Sequence, residues 1–522
     1  MYKGANFGIL RLILVILLDI IIAANAVHYE DVAAQQTVLF AERTGGPIGI
    51  LTTANGAPVE FKDANVSLNR RVLFNEYLTE SITHLNRQKI VERTVHAPGS
   101  GAFGYFEVTR DITNICKAKF LNKIGKKTPV AVRFSLVAPS IGASDTFRDG
   151  RGFAIKFYTE DGNFDMVGLS TPIFPYKDPL FFPTFANAQA KNPSTNLFDA
   201  NMLWDYITLR PESIHFFMYK FGDSGIPNGY RHMPGFSVHT YQVTNDQGES
   251  HFLRFHLLPD QGEGYLTSKE GMEISGINPD AFTKDLYNAI ANGDYPSWQV
   301  LVQVLSLEQV RNAAFDVFDV TKVLPVDEYP LQPLGRLVLD RNPVNFFAEI
   351  EQIAMCPTNL VPGILGAPDK LFEARRLSYR DAQYYRLGAN FQNIAVNCPL
   401  RQSFTYNNNG RPPAKITDRP TYWPNTYHGP VPYVDPERPE VLEIVQDTSL
   451  NFDQASHHYK YELPEDARKR LISNIVDSLV QADPKLQDRA VKLFKIINAD
   501  LGIRVERGLA NEKKNKYNYE LM

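Results

Sequence analysis

The sequence predicts an α+β protein whose β-rich body is followed by a long irregular connection and a small helical domain. Three observations carry this. From about residue 91 to 340 short β-rich runs alternate with Gly and Pro turns. From about 341 to 450 the chain is rich in Pro, Asn and Tyr with little periodicity. From about 451 onward apolar residues recur at helical spacing.

In the body, Val130, Val132 and Phe134 alternate with Ala131, Arg133 and Ser135, as in a strand with two distinct faces. Phe153-Ala154-Ile155-Lys156-Phe157-Tyr158 reads as another strand and Asp161-Gly162 as its turn. Helical stretches intervene near Pro211–Tyr219 and Ala281–Asn292. Residues 27–90 are polar and irregular and read as an extended arm. The connection over 341–450 reads as a segment lying on the main body, because its many aromatics argue against disorder. In the C-terminal domain, 451–522, Leu471, Ile472, Ile475, Val476 and Leu479 form one stripe. Asp483-Pro484 starts a second helix that carries Val491, Phe494 and Ile497.

The 522 residues have 44% hydrophobic and 21% charged content and a net charge of −4, ordinary for a globular chain and no footprint for nucleic acid. Lys3 and Arg11 flank the start of an apolar run, Leu12 to Leu18. Asp19 interrupts it, Ile20 to Ala23 continue it, and Ala24-Asn25-Ala26 supplies a small-x-small cleavage pattern. Residues 1–26 are therefore expected to be a signal peptide and the mature protein to be extracellular, without a membrane anchor, since Asp19 would be costly in hydrocarbon. Asn65-Val66-Ser67 is then an N-glycosylation sequon. Three cysteines, Cys116, Cys356 and Cys398, are too few for a disulfide framework and are expected to be buried free thiols.

Two segments carry chemistry. Val91 to Gly104 sets His96 beside Arg93 in a glycine-rich stretch. From Asp369 to Gly388, Arg375, Tyr379, Gln383 and Arg386 fall at i, i+4, i+8 and i+11, one stripe of a helix, where Arg375 favours an anionic Tyr379 oxygen. By spacing alone, a structural histidine and a solvated cationic helix face account for both segments better than a site does.

Together with Val132 to Ser135, Arg148 to Ala154, Thr171 to Phe174, Asp178 to Pro183, Leu209 to Ser213, Tyr295 to Trp298, Asn342 to Asn345, Asp381 and Val396 to Pro399, these segments occur in an order that resembles the monofunctional haem catalases from about residue 35 to 500. The resemblance implies an eight-stranded antiparallel β-barrel over 91–340, with the N-terminal arm, a wrapping segment over 341–450 carrying the proximal ligand helix, and the terminal helical domain. It also implies a homotetramer, haem b, and disproportionation of hydrogen peroxide. His96 matches the distal histidine and Ser135 its orienting partner. Arg93, Arg133 and Arg386 match the partners of the haem propionates, and Tyr379 matches the proximal iron ligand with Arg375 at its oxygen, a ligation generally associated with catalases. Phe174 and Phe182 match aromatics that narrow the approach to the iron, and Asp149 matches a channel carboxylate. Val95 matches the small apolar residue before the distal histidine, where allene-oxide-synthase relatives carry Thr.

Three departures stand out. Leu169 follows Val167-Gly168 where the family has an Asn that hydrogen-bonds peroxide. Arg376 and Leu377 replace an apolar residue and a Phe. His215 persists from the NADPH-binding set, but Ser224, Leu258, Leu324 and Val326 replace its Arg, Lys, Trp and His, so NADPH is not expected to bind. The chain ends Tyr519-Glu520-Leu521-Met522, which is no peroxisomal address. The expected function is an extracellular catalase of reduced or retuned activity. The alternatives are a haem peroxidase using organic donors and a non-enzymatic haem-binding matrix protein.

Overall fold

The computed structural model describes residues 31–64 and 75–520, with side chains described to 514. The expected signal peptide, 1–26, and the Asn65 sequon lie outside the described residues. The chain forms two compact units, 1–86 and 87–522. In the first, the arm read as irregular contains two helices, α1 (Val32–Thr44) and α2 (Glu76–Leu85). Asp31 and Asn75 cap them by accepting from Ala34 and Leu78 amides. Composition hid these helices because neither buries a single residue, so no apolar stripe marks them.

The second unit is built on one antiparallel sheet. Its strands are β1 (Gly99–Val108), β2 (Lys127–Leu136), β3 (Arg151–Thr159), β4 (Gly162–Leu169), β5 (Gly235–Phe236), β6 (Tyr241–Thr244), β7 (Ser250–Pro259), β8 (Ser297–Ser306), β9 (Gln332–Arg341) and β10 (Ile364–Gly366). The order β5-β4-β3-β2-β1-β9-β8 closes through β7, which pairs with both β8 and β5. This is a closed eight-stranded barrel, with β6 and β10 attached beside β7.

The alternation along β2 decides where the site can lie. Val130, Val132 and Phe134 join Phe106, Phe153 and Trp298 in the packed barrel interior. Phe134 stacks on Tyr230 at 5.1 Å and meets Phe153 edge-on at 4.9 Å. The interior is therefore a core and not a channel. Ala131, Arg133 and Ser135 emerge on the opposite, outer face, which the later chain covers.

Of the three α-helices inserted between β4 and β5, α3 (Ala200–Leu209) and α4 (Ile214–Phe221) lie in an apolar cluster with the C-terminal helices. Further along the chain lie α5 (Ala281–Ala291) and α6 (Lys370–Leu387), the latter capped by Asp369 and ended by Gly388. Then follow α7 (Glu465–Leu479), α8 (Pro484–Ile497) and α9 (Ala499–Glu520). The predicted stripes of α7 and α8 are buried, and Trp204 of α3 donates to Ser478 at 3.0 Å. The terminal domain thus packs on the inserted helices. Leu501, Val505 and Leu509 of α9 complete it.

All three cysteines are free, with Cys116 and Cys356 buried as expected. Cys398 is exposed, a correction that follows from its place in the irregular connection, where nothing packs over it. Among the described residues no helix is long and apolar enough to cross a membrane.

Candidate active site

One cavity of about 850 Å³ lies between the outer face of β2–β4 and α6. Arg93, Val95, His96, Arg133, Ser135, Leu169, Phe174, Phe182, Arg375, Tyr379 and Arg386 all line it. Asp149 does not. Its carboxylate sits behind Val137, where it accepts from the Val137 and Ala138 amides at 2.8 and 2.7 Å and pairs with Lys220 at 2.9 Å.

On the strand side, Ser135, Gly152 and Leu169 are directly opposite one another across β2, β3 and β4, so the side chains of Ser135 and Leu169 share one face. Ser135 Oγ lies 2.9 Å from His96 Nδ1. A Cβ at Gly152 would stand 2.5 Å from Ser135 Oγ and 2.8 Å from His96 Nδ1, so only glycine leaves room for this pair. His96 adopts φ 64°, a left-handed conformation that a non-glycine residue holds only when its surroundings over-determine it. They do: Arg133 donates to the carbonyls of His96 and Ala97 at 2.8 and 2.9 Å, and the His96 amide donates to Val137 O at 3.0 Å. Burial, reinforced by the Arg133 cation, pushes the imidazole down to about 3. His96 is therefore neutral at pH 7 and able to accept a proton.

Leu169 presents an apolar wall beside this pair. Ser170, one residue on, is committed elsewhere: its Oγ accepts from the Arg151 amide at 3.2 Å and it does not border the cavity.

On the helix side, the period of α6 brings Arg375 beneath Tyr379, and Arg375 Nη2 donates to the Tyr379 oxygen at 2.9 Å. The same nitrogen donates to Val167 O at 2.9 Å, and Nη1 donates to His239 Nε2 at 2.8 Å. His239 Nδ1 in turn donates to Asp369 Oδ2 at 2.8 Å. Burial alone would lower the Arg375 pKa, but Tyr379, then Tyr241 and Tyr176, raise it above the usual value. Asp369 also caps α6 by accepting from the Phe372 amide at 2.8 Å, so the residue that starts the helix ends the relay. His239 and Gly152 were not singled out from the sequence. His239 precedes a four-residue strand too short to show a pattern, while Asp369 was visible only as the first residue of the helical segment. Arg376 and Leu377 of α6 are exposed, and Leu377 borders the cavity at its open side.

Arg93, Arg133 and Arg386 gather at the same cavity around one carboxylate, Glu351. Arg93 is 3.2 Å and Arg386 3.7 Å from it. Burial lowers all three guanidinium pKa values, and repulsion from Arg93 adds to it at Arg133 and at Arg386, which falls to about 9. The buried Nε atoms of Arg133 and Arg386 have no partner. This excess of buried positive charge fits a ligand bearing two carboxylates. Among the described residues no group of three His, Cys, Asp or Glu side chains is placed to hold a bare metal ion. A single Tyr379 oxygen serves iron only if a macrocycle supplies the other donors. The residues thus fit a haem with two propionates.

A closed antiparallel barrel with a tyrosine–arginine relay and a strained histidine on either side of an arginine-rimmed cavity defines a haem-oxidoreductase type of site, and comparison with known proteins gives the family. The Catalase family model matches residues 52–429, and a second, Catalase-related immune-responsive, matches 446–509. The chain is 42% identical to the catalase of Drosophila melanogaster over 505 residues, 94% of this chain and 99% of the fly protein. It is 43% identical to that of Cavia porcellus, covering 92% of each. Catalase A of Saccharomyces cerevisiae superposes with a TM-score of 0.83 at 39% identity, over 88% of this chain and 99% of the yeast chain. A bacterial catalase reaches 0.85 at 36%, over 89% and 96%. The chain belongs to the catalase family, an enzyme family of haem oxidoreductases.

Proposed function

We propose that the protein is a secreted haem b oxidoreductase that converts hydrogen peroxide to water and oxygen, with its activity retuned by Leu169. The observation that carries this reading is the pairing, across one cavity, of the Asp369–His239–Arg375–Tyr379 relay with the His96–Ser135 pair. Tyr379 would hold the iron through its oxygen, and Arg93, Arg133 and Arg386 the propionates. Haem bound there supplies two-electron redox chemistry. Neutral His96 takes a proton from one peroxide oxygen and returns it to the other, so that the O–O bond breaks with water leaving. Ser135 fixes the ring through Nδ1, leaving Nε2 for peroxide. In the full cycle two peroxides yield two waters and one oxygen, so no external reductant is consumed. The experiment is oxygen evolution from hydrogen peroxide by the purified, haem-loaded protein. Oxygen evolution is expected, slowed by Leu169, and none from fully loaded protein would refute the reading.

Leu169 favours a second reading, peroxidase turnover with organic donors, because a leucine offers peroxide no hydrogen bond. A non-enzymatic matrix role is disfavoured by a complete relay that a purely structural protein has no use for. We place the protein outside the cell because of its signal-like N-terminus. Protein from extracellular fluid should begin at or near Val27, and an intact Met1 would contradict this. Exposed apolar side chains along the wrapping segment, such as Ile416, Val431 and Val445, support a homotetramer.

NADPH should not bind. His215 is buried against Tyr219 and His458, with Tyr219 and His458 stacked at 4.5 Å, and Ser224 bonds to the Tyr219 carbonyl. Titration calorimetry at micromolar protein should be flat, and a one-per-subunit isotherm would disprove this.

A further inference from the structure

We propose that Lys220, through Asp149 and the Val137 peptide, is a positioning residue for the distal histidine, His96. The proposal rests on the functional reading above and deepens it.

Lys220 lies near the end of α4, outside the cavity, and is buried. A buried ammonium needs a reason, because the charge is removed from water and the long side chain is ordered. Its Nζ reaches Asp149 Oδ1 at 2.9 Å and Gln189 Oε1 at 2.6 Å. Asp149, itself 1% exposed, turns its other oxygen to two successive backbone amides, Val137 at 2.8 Å and Ala138 at 2.7 Å. The Val137 amide also leans on Gly150 O at 3.2 Å. The opposite end of the Val137 residue, its carbonyl, accepts the His96 amide at 3.0 Å. An unbroken series of polar contacts therefore runs from the Lys220 ammonium to the backbone of the residue held at φ 64°. Arg133 grips that backbone from the carbonyl side. The Lys220–Asp149 clasp grips it from the amide side.

The clasp has an electrostatic side as well. The charges acting on His96 are Arg133 from β2, Arg93 from the preceding segment, Arg375 from α6, and Asp149, the one carboxylate among them. Arg151 also faces Asp149, its guanidinium donating to the Asp149 carbonyl at 3.1 Å and feeling Tyr230, Asp149 and Asp145. Asp149 raises the His96 pKa against the three cations. Lys220 compensates that carboxylate at hydrogen-bond distance. Without Lys220, Asp149 acts on the imidazole uncompensated, and the pH below which His96 is protonated moves up. A protonated His96 cannot accept the peroxide proton, so the acid limb of the reaction rises with it.

The test uses the full-length protein with Lys220→Met, Lys220→Arg and the double variant Asp149→Asn/Lys220→Met. Two readouts are taken: hydrogen exchange at the amides of His96, Val137 and Ala138 in protein without added haem, and the pH profile of peroxide consumption by haem-loaded protein. Lys220→Met should exchange those amides at least tenfold faster and shift the acid limb upward by about one unit. Lys220→Arg should restore both. In the double variant, where the carboxylate charge has gone, the limb should lie at or below that of the wild type. A Lys220→Met protein with wild-type exchange and a wild-type limb overturns the proposal, as does a double variant with the same raised limb as the single one, which would mark simple packing damage. If Lys220→Met does not fold, the double variant decides by the same criterion. If wild-type protein consumes no peroxide, the functional reading fails, but amide exchange still decides whether Lys220 positions His96.

Discussion

The two walls of the cavity hold their chemistry in different ways. On the helix side, every member of the series from Asp369 to Tyr379 is joined to the next by a hydrogen bond of 2.8 or 2.9 Å, and Asp369 also caps the helix that carries Arg375 and Tyr379. On the strand side, His96 sits in a left-handed backbone conformation, kept there by Arg133 and by contacts reaching back to Lys220, beside an apolar Leu169. The helix side is a closed polar network in which few substitutions are neutral. The strand side is a histidine in a wall whose neighbouring position, Leu169, is apolar. Within one site, then, the part we propose to hold the cofactor is a closed polar network, while the part we propose to meet peroxide has an apolar neighbour at Leu169. That is the pattern expected when the reaction is retuned and the fold is not.

The largest effect should come from breaking the helix side. Tyr379→Phe removes the oxygen we propose as the iron ligand and should abolish or greatly weaken haem retention. The optical spectrum of the wild type should be that of high-spin ferric haem with a phenolate ligand. An unchanged spectrum and unchanged haem content in the variant would show that the two walls have been assigned the wrong roles.

A smaller effect concerns the strand side and its pH dependence. Burial pushes His96 and His215 down to about 3 and His256 to about 4, whereas in the unfolded chain each titrates near pH 6.5. Between these values the unfolded chain binds protons that the folded one does not, so stability is full above pH ~6.5 and falls as pH drops toward ~4. Each such histidine costs about 1.4 kcal/mol per pH unit within that window. Asp145 and Asp165, raised by burial, work in the opposite direction. Denaturant midpoints measured from pH 7 to pH 5 should give a slope that flattens by one proton in His96→Gln. An equal slope in that variant would mean that His96 is not the enclosed, neutral group described.

The helix side was half legible in the sequence. The spacing of Arg375, Tyr379 and Arg386 placed them on one stripe, because a helix repeats every 3.6 residues and its faces can be read locally. His239 lies 136 residues before Arg375 in the chain and meets it only through the tertiary fold, which no local period reports. The β2 alternation foretold two faces, but which face is the barrel interior depends on closure by β7 and β8, pairings distant in sequence. Gly152 stood in a recognised motif, yet its purpose, room for the Ser135–His96 contact, is visible only when three strands are in register. The helices of the arm were missed because they bury nothing that would pattern them.

The most direct test of the contrast between the walls is Leu169→Asn, comparing oxygen evolution from hydrogen peroxide with oxidation of a small phenolic donor in equally haem-loaded proteins. Asn places a polar group on the face shared with Ser135, where one preorganised donor is worth about ten- to a thousandfold in rate. Relative to the wild type, the variant should evolve oxygen faster by one to a few powers of ten, with the ratio of oxygen evolution to donor oxidation rising. Equal rates and an equal ratio in the two proteins would contradict the account, since another group or a water would then already be filling the place that Leu169 leaves without a hydrogen bond.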